Sequence, residues 1–284
     1  MQSSTRNMST SPDPKRNSSR KHDFELELNA TPGEVWAALT EAGEIIKWFA
    51  PEARVEPGTG GKIFISWGPG MEGASEIQVW EPGKHLKVLM PAGSPDEEPP
   101  RVQAVDYLIE SREGKTYLRL VHSGFDSDAK WDNEYESTHS GWLTFLAMLR
   151  YSLEEQAGVP ATTFYQNLFL NSTQAEIYER VTGANGLKLQ ASEWRDGAEF
   201  TANLGSTPIH GHFPRMIPGK SFILAAPELD GALLAFFAEN FQGKGMLTVQ
   251  SVLYGNHAGS RERVVNSLTG LCDSLFPAES RISF

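Results

Sequence analysis

Apolar and polar residues alternate with the period of a β-strand along several short stretches of the first half of the chain. These stretches are FELELN (24–29), KIFISW, SEIQVWEP, HLKVLMP, VQAVDYLIES and TYLRLVHS. After the first of them, Val35, Trp36 and Leu39 share one face of a predicted helix, and EIIKWFAP predicts a second short helix that ends at Pro51. The predicted order is therefore one strand, two short helices and a run of antiparallel strands.

A long helical pattern follows these strands. From about Lys130 to Gln156 the apolar residues recur at helical spacing, and Gly158 and Pro160 are typical helix stop signals. The apolar residues are Trp142, Phe145, Leu146, Leu149 and Leu153. An antiparallel sheet with one apolar face must cover that face, and this helix is the longest element available to do so. If the sheet curves around the helix, a cavity can remain between them.

The alternation also predicts which strand residues face this helix. Charged positions such as Lys62, Lys87 and Arg119 should face water, and their neighbours should face inward. The residues expected to face the helix are Ile63, Ile65, Trp67, Ile77, Val79, Val88, Met90, Val105, Tyr107, Leu118, Leu120 and His122. The Gly-rich stretch GPGMEG (68–73) is expected to form a mobile hairpin loop near the mouth of the cavity.

The entry to the first predicted helix recurs in the second half of the chain. NATPGEVWAALT (29–40) and NSTQAEIYERVT (171–182) agree in kind at their apolar, aromatic and capping positions. In both, a Thr is followed three residues later by a Glu, which is the capping-box spacing. A second pair of similar stretches is EPGKHLKVLMP (81–91) and IPGKSFILAAP (217–227). In both halves of the chain this stretch follows the helix entry, and the number of residues between the two differs only by a few. These echoes predict an internal duplication.

A length of 284 residues suits two domains. The predicted divisions are a disordered tail (1–22), a first domain (23–158), a linker (159–164), a second domain (165–276) and a short tail (277–284). Residues 1–22 are rich in Ser, Pro and basic residues and lack apolar periodicity. A transit peptide is an alternative for this segment, although Pro and Asp interrupt any amphipathic helix in it.

Composition and charge narrow the class of protein. The formal net charge is −11, and no Lys/Arg cluster occurs outside the tail, which argues against a general nucleic-acid binder. No apolar run approaches the roughly 20 residues that span a bilayer, and no signal-peptide core is visible, so a cytoplasmic protein is expected. The lone Cys272 lies in an apolar helical stretch and is expected to be a buried small hydrophobe rather than a catalytic thiol.

Four blocks of the first half resemble a known family. They are VWAALTEAGEIIKWFAPEARVEPGTGGKIFIS, VWEPGKHLKVLM, LRLVHSGF and GWLTFLAMLRYSLE. Together, over about residues 24–157, they resemble the START-like (SRPBCC) superfamily, and more narrowly its bacterial proteins related to the C-terminal domain of the activator of heat-shock protein 90 ATPase. The resemblance implies an α+β helix-grip fold, in which a curved antiparallel sheet wraps around a long C-terminal helix over an apolar cavity. Members bind lipids, sterols, polyketides or other hydrophobic small molecules, and a minority are cyclases or hydrolases.

The second half fits the same order of elements far less well. The stretch that corresponds to HSGF reads SVLYG (251–255), and the closing helix is shorter. We therefore interpret residues 165–276 as a second, degenerate copy of the START-like domain.

The predicted function is the binding of a small hydrophobic ligand in the first domain, with no assigned chemistry and no cofactor. The candidate ligand-binding residues are Trp48, Ile63, Ile65, Trp67, Ile77, Val79, Val88, Met90, Tyr107, His122, Phe125, Trp142 and Phe145. No phosphate loop, dinucleotide fingerprint or nucleophile elbow is present. No metal is predicted, because His210 and His212, although they have strand spacing, offer two imidazoles without a third ligand nearby.

Two alternatives stay open. His122 is expected to point into the cavity, where it would serve a cyclase or hydrolase as an acid or base, or simply hydrogen-bond to the helix or to a buried carboxyl. The second alternative is a co-chaperone-like interaction module, which predicts a filled pocket and an exposed apolar patch on the second domain. In the eukaryotic co-chaperone, activation depends largely on an additional N-terminal domain, and residues 1–22 are expected to be too short for one. Packing of the two domains against each other is a further expectation.

Overall fold

The computed structural model describes residues 20–92, 101–128, 131–241, 243–256 and 258–282. Two sets of elements follow one another, each with a seven-stranded sheet and a long closing helix. The first set is β1 (Arg20–Leu28), α1 (Pro32–Thr40), α2 (Ala42–Ile45), β2 (Glu52–Glu56), β3 (Lys62–Ser66), β4 (Glu72–Glu81), β5 (His85–Ala92), β6 (Arg101–Arg112), β7 (Lys115–Phe125) and α3 (Asp132–Glu154). The second set is β8 (Ala161–Leu170), α4 (Gln174–Thr182), β9 (Gln190–Ala191), β10 (Glu199–Leu204), β11 (Thr207–Ile217), β12 (Ser221–Ala226), β13 (Ala232–Phe241), β14 (Lys244–Tyr254) and α5 (Ala258–Leu275).

The two sheets have the same topology. Their strand orders are β1-β7-β6-β5-β4-β3-β2 and β8-β14-β13-β12-β11-β10-β9, and all neighbouring strands are antiparallel. In each set the first strand pairs with the last, and the inner face of the sheet packs against the closing helix. The predicted α+β helix-grip fold with a second copy is confirmed.

Both copies begin their first helix with the predicted capping box. In α1 the Glu34 N–H donates to the Thr31 hydroxyl at 3.2 Å, and the Thr31 N–H donates to the Glu34 carboxylate at 2.7 Å. In α4, Thr173 and Glu176 make the same two bonds at 3.3 and 2.8 Å. The repeated sequence therefore encodes a repeated helix start, because each box satisfies donors that the first turn leaves unpaired.

A bulge in β4 changes the predicted inner face of the first sheet. Ile77 pairs with Val88 of β5, but after a register shift Val79 pairs with Lys87 and Trp80 pairs with Leu86. Directly paired residues share a face, so Val79 lies on the outer face with Lys87, and Trp80 lies on the inner face. The prediction that Val79 faces the helix is wrong, because strict alternation does not hold across the inserted residue.

The helix α3 is covered on both sides. The outer face of the second sheet packs on it, and Phe145 of α3 contacts Phe237 of β13 with ring centroids 5.9 Å apart. The Thr144 and Ser221 hydroxyls are 3.2 Å apart, and the Tyr151 hydroxyl donates to the Gly231 carbonyl at 3.0 Å. The second-domain residues in the core cluster of the first domain are Ile223, Ala225, Leu233, Ala235, Phe237, Val252 and Tyr254. The two domains thus share a core.

The second domain buries its own inner face under α5. Phe213, Phe222, Phe236 and Phe276 are each at most 2% exposed, and Cys272 is 1% exposed. The six residues of β12 are all buried, because α5 covers one face of the strand and α3 the other. This explains the continuous apolar run of β12, which is typical of a strand buried on both faces. The prediction of a buried Cys272 is confirmed.

The predicted domain edges need three corrections. Residues 20–22 of the predicted tail belong to β1, and residues 161–164 of the predicted linker belong to β8. Arg281 of the predicted C-terminal tail forms a β-bridge with Leu170. Residues 1–19 and 93–100 lie outside the described residues. Within the described ranges, no helix is both long enough and apolar enough to cross a membrane.

Candidate ligand-binding site

A small cavity lies between the first sheet, the α1–α2 region and α3. Its volume is about 40 Å³. Its walls are apolar or aromatic, apart from the hydroxyls of Ser75 and Tyr107. The lining residues are Leu39, Ile45, Trp48, Phe49, Ile63, Ile65, Ser75, Leu86, Val88, Met90, Tyr107 and Trp142. A cavity with such walls favours an apolar guest over a polar one.

Phe49 is the centre of an aromatic cluster at one end of the cavity. Its ring is nearly parallel to that of Trp142, with centroids 5.5 Å apart and an interplanar angle of 6°. Trp67 and Phe145 meet it edge-on, at 5.2 and 5.1 Å. Trp48 stacks on it at 5.0 Å. Trp67 and Phe145 therefore stand behind Phe49 rather than in the cavity wall.

The turn after α2 fixes the position of this cluster. The Phe49 N–H donates to the Ile45 carbonyl at 3.0 Å, and the Trp48 indole N–H donates to the Ala38 carbonyl at 2.9 Å. The Trp67 indole N–H donates to the Phe49 carbonyl at 3.1 Å. The Trp48 and Trp67 indoles thus both have a backbone acceptor, in keeping with the rule that Trp N–H groups usually find a partner when buried.

Tyr107 supplies a hydrogen-bonding group to the lining. The residue is 7% exposed, and burial raises the pKa of its phenol well above the usual value near 10. The phenol therefore stays protonated at physiological pH and can donate a hydrogen bond to a guest.

His122 lies outside the cavity lining and has both ring nitrogens engaged. The Trp142 indole N–H donates to His122 Nδ1 at 2.9 Å. This leaves the proton on Nε2, which donates to Gln103 Oε1 at 3.1 Å. Gln103 in turn donates to the Glu134 carboxylate at 2.9 Å. Burial, and secondarily the neighbouring His22, lowers the pKa of His122 to about 4. His122 is therefore a neutral structural link between sheet and helix, as the simpler interpretation predicted.

A second imidazole extends this link towards the start of α3. His22 is 3% exposed, its Nε2 lies 3.1 Å from the Tyr135 carbonyl, and its Nδ1 lies 3.4 Å from His139 Nδ1. Phe125 contacts the rings of His22 and His122 at 4.9 and 4.6 Å. Burial, and then the charge of His139, lowers the pKa of His22. Phe125 and His122 thus belong to this cluster and not to the cavity.

The structure brings part of the predicted ligand-binding set together. Seven of those residues line the cavity: Trp48, Ile63, Ile65, Val88, Met90, Tyr107 and Trp142. Six of them do not line the cavity. Trp67 and Phe145 support Phe49, and Ile77 is buried in the core. Val79 faces outward, and His122 and Phe125 belong to the cluster around His22. For the seven residues that line the cavity, a part in ligand binding stays a prediction.

Five lining residues were missed. They are Leu39, Ile45, Phe49, Ser75 and Leu86. Leu86 has the same strand parity as Val88 and Met90, and Leu39 lies on the apolar face of α1, so alternation and helical spacing contained the signal for both. Ser75 has the same strand parity as Ile77, so alternation indicated its inward position, but serine is not a residue type expected in an apolar cavity wall.

The histidines of the second domain lie apart from the cavity. His210 and His212 are exposed on β11, and the His210 imidazole contacts the Glu228 carboxylate. In the described part of the chain, no group of three or more His, Cys, Asp or Glu residues is arranged to hold a metal ion.

Comparison with known families gives one match for this chain. The family model described as Activator of Hsp90 ATPase homolog 1-like protein matches residues 29–154. The first domain matches this family. The part that is similar to the Activator of Hsp90 ATPase homolog 1-like family runs from the turn after β1 to the end of α3, so it contains every residue that lines the cavity. Comparison with curated proteins finds no match.

Solved structures give distant likenesses. The Aha1 dimer from Colwellia psychrerythraea is 19% identical over 49% of this chain and 99% of its own, with a TM-score of 0.43. DynU16, from the dynemicin biosynthetic locus, is 16% identical over 92% of this chain and 97% of its own, with a TM-score of 0.41. The di-domain ARO/CYC BexL, from the BE-7585A biosynthetic pathway, is 14% identical over 90% and 96%, with a TM-score of 0.41. At such values these likenesses say nothing about what this chain binds.

Proposed function

We propose that the first domain binds a small apolar molecule, aromatic or aliphatic, in the cavity between its sheet and α3. The observation that carries this proposal is the lining itself, which combines aromatic and aliphatic walls with two hydroxyls, those of Ser75 and Tyr107. Ligand pockets commonly have this composition, with a few polar groups that orient the guest. The match to the Activator of Hsp90 ATPase homolog 1-like family over the same residues is compatible with it.

The size of the cavity limits the guest. Its volume of about 40 Å³ exceeds what one water needs and lies far below the roughly 300–1,000 Å³ of ordinary ligand pockets. A guest larger than a few heavy atoms must therefore displace a lining side chain. Phe49 is the side chain we assign to this movement, because it is half-buried, whereas its neighbours Trp48 and Trp142 are 2% and 5% exposed. A flat aromatic guest would then stack on Trp142 in place of the Phe49 ring.

The second domain serves as a support in this proposal. Its outer face holds α3 against the first sheet, through contacts such as Phe145 with Phe237 and Tyr151 with Gly231. No reaction is proposed, since His122 has no nitrogen free for a substrate.

An interaction module finds less support. Among the described residues, the large apolar side chains that are exposed are Val102 at 51% and Trp194 at 44%, and they belong to different domains. These two side chains therefore do not form the apolar patch expected of a protein-binding second domain.

A pair of variants on one strand tests the proposal. Ser75→Leu adds two heavy atoms inside the cavity, whereas Val79→Leu adds one on the outer face of β4. Indole at ten times its Kd should stabilise the native chain and the Val79→Leu chain by about 1.4 kcal/mol. It should not stabilise Ser75→Leu, whose own unfolding midpoint in the absence of indole shows whether it has folded. Equal stabilisation of all three chains, or of none, in thermal unfolding would contradict the proposal.

A further inference from the structure

A groove of about 620 Å³ lies between the two domains, outside the cavity described above. One side is the turn from Trp67 to Met71, which joins β3 to β4, and Glu52 stands at its edge. The other side is β8, where Tyr165, Asn167 and Phe169 alternate along one face of the strand. The groove therefore exists only because the second domain packs on the first.

Three aromatic rings line this groove. Trp67 is held by its hydrogen bond to the Phe49 carbonyl at 3.1 Å, so its indole cannot turn freely. Tyr165 is half-buried, and burial raises the pKa of its phenol to about 12, which keeps the ring neutral at physiological pH. Phe169 lies four residues further along the same face of β8. The groove lining thus contains uncharged aromatic rings from both domains.

The charge of the groove has one sign. Glu52 is the only charged residue in the lining, which contains no Lys or Arg. The carboxylate is exposed, and within the described part of the chain no ion pair or hydrogen bond engages it. Asn167, the amide in the lining, is already engaged, because it accepts a hydrogen bond from Thr248 at 2.6 Å and donates to Met71 Sδ at 2.9 Å.

We propose that this groove binds an organic cation, a quaternary ammonium or a protonated amine, with its apolar groups on Trp67, Tyr165 and Phe169 and its charge facing Glu52. Aromatic faces attract such cations through the negative potential of the ring, and a carboxylate adds a charge that anions would avoid. The site is separate from the apolar cavity, and it does not depend on the function proposed for that cavity. The two meet at the contact between Trp67 and Phe49.

Binding of choline, compared with its neutral carbon isostere 3,3-dimethylbutan-1-ol, tests this proposal on the full chain. Both probes have the same shape, so a difference between them measures the charge. In ¹H–¹⁵N NMR titrations, choline should shift the Trp67 indole resonance, which a Trp67→Phe chain identifies by its loss. The isostere should bind at least fivefold more weakly.

Two surface variants of β2 isolate the role of Glu52. Glu52→Gln removes the charge at the groove, and Glu56→Gln removes one on the same face of the same strand, outside the groove lining. Choline affinity should fall about two- to fivefold in Glu52→Gln, the range expected for the loss of one exposed carboxylate beside a cation. It should be unchanged in Glu56→Gln. Absence of choline binding up to 100 mM, equal affinity for the isostere, or an equal effect of both variants would overturn the proposal.

Discussion

Acid should destabilise this protein over two separable pH ranges, and the loss in the higher range depends on His122. Burial holds the pKa of this imidazole at about 4, against 6.5 in an unfolded chain. Folding therefore favours the neutral form, and the stability this gives is complete above pH 6.5 and is lost as the pH falls from 6.5 towards 4. A difference of about 2.5 units corresponds to about 3 kcal/mol, at 1.36 kcal/mol per unit. His22, whose pKa is also lowered by burial, adds to the loss in the same direction.

Carboxylates act at lower pH and can be told apart from the histidines. Hydrogen bonds from Arg119 and Lys21 lower the pKa of Asp23, and the capping bonds of Thr31 and Thr173 lower those of Glu34 and Glu176. Stability from a lowered carboxyl pKa is present above its unfolded value near 4 and lost below it. A loss of stability between pH 6.5 and 4.5 is therefore assigned to the imidazoles.

Urea unfolding between pH 7.5 and 4.5, followed by tryptophan fluorescence, measures this dependence. Trp142, which donates to His122, reports on the first domain directly. His122→Gln should be less stable than the native chain at pH 7.5, but its stability should fall less on acidification, because the main titrating group is gone. His212→Gln, at an exposed position on β11, should keep the native pH dependence. An unchanged pH dependence in His122→Gln would refute the assigned role.

Three further predictions concern packing and backbone. Phe49→Ala should cost about 3–5 kcal/mol of stability, the range for removing a large aromatic side chain from a packed cluster, and should raise the affinity for indole in calorimetric titration, because the guest no longer displaces a ring. Thr31→Ala and Thr173→Ala should each cost about 1 kcal/mol in urea unfolding, since both remove a helix cap; a difference above 1 kcal/mol between them would contradict the equivalence of the two helix starts. Gly245→Ala should lower the free energy of unfolding by more than 2 kcal/mol, because its Cβ would lie 1.9 Å from the Ser172 carbonyl oxygen. Gly270→Ala in α5 would meet nothing within 4 Å and should raise the free energy of unfolding by about 0.5–1 kcal/mol.

The features that sequence predicted well are local ones. A capping box needs only a Thr and a Glu three residues apart, so Thr31 and Thr173 could be identified without tertiary information. The long helix α3 followed from apolar spacing in the same way. The resemblance of the first half to the START-like superfamily then supplied what spacing alone does not, which is the curvature of the sheet around that helix.

The errors arose where tertiary contacts overrule local pattern. Because of the bulge beside Gln78, Val79 and Trp80 lie on the faces opposite to those that alternation predicts. No residue type in β4 indicates that bulge. Phe49 follows a short helix, and its place in the cavity wall depends on contacts with Trp67 and Trp142, which are distant in sequence. The short edge strand β2 was also missed, because EARVE has two apolar positions among three charges. The interdomain groove has no sequence signal, since each side is contributed by a different domain.

Binding of an apolar guest in the cavity between the first sheet and α3 can be observed at the lining side chains themselves. Methyl NMR of the selectively labelled full chain, titrated with indole, tests it most directly, because Ile45, Ile63, Ile65 and Val88 line the cavity and Val79 lies on the opposite face of the sheet. Saturable shifts of the four lining residues with one common Kd, and no shift of Val79, are expected. Shifts absent from the lining residues, or confined to surface methyls, would contradict binding in this cavity.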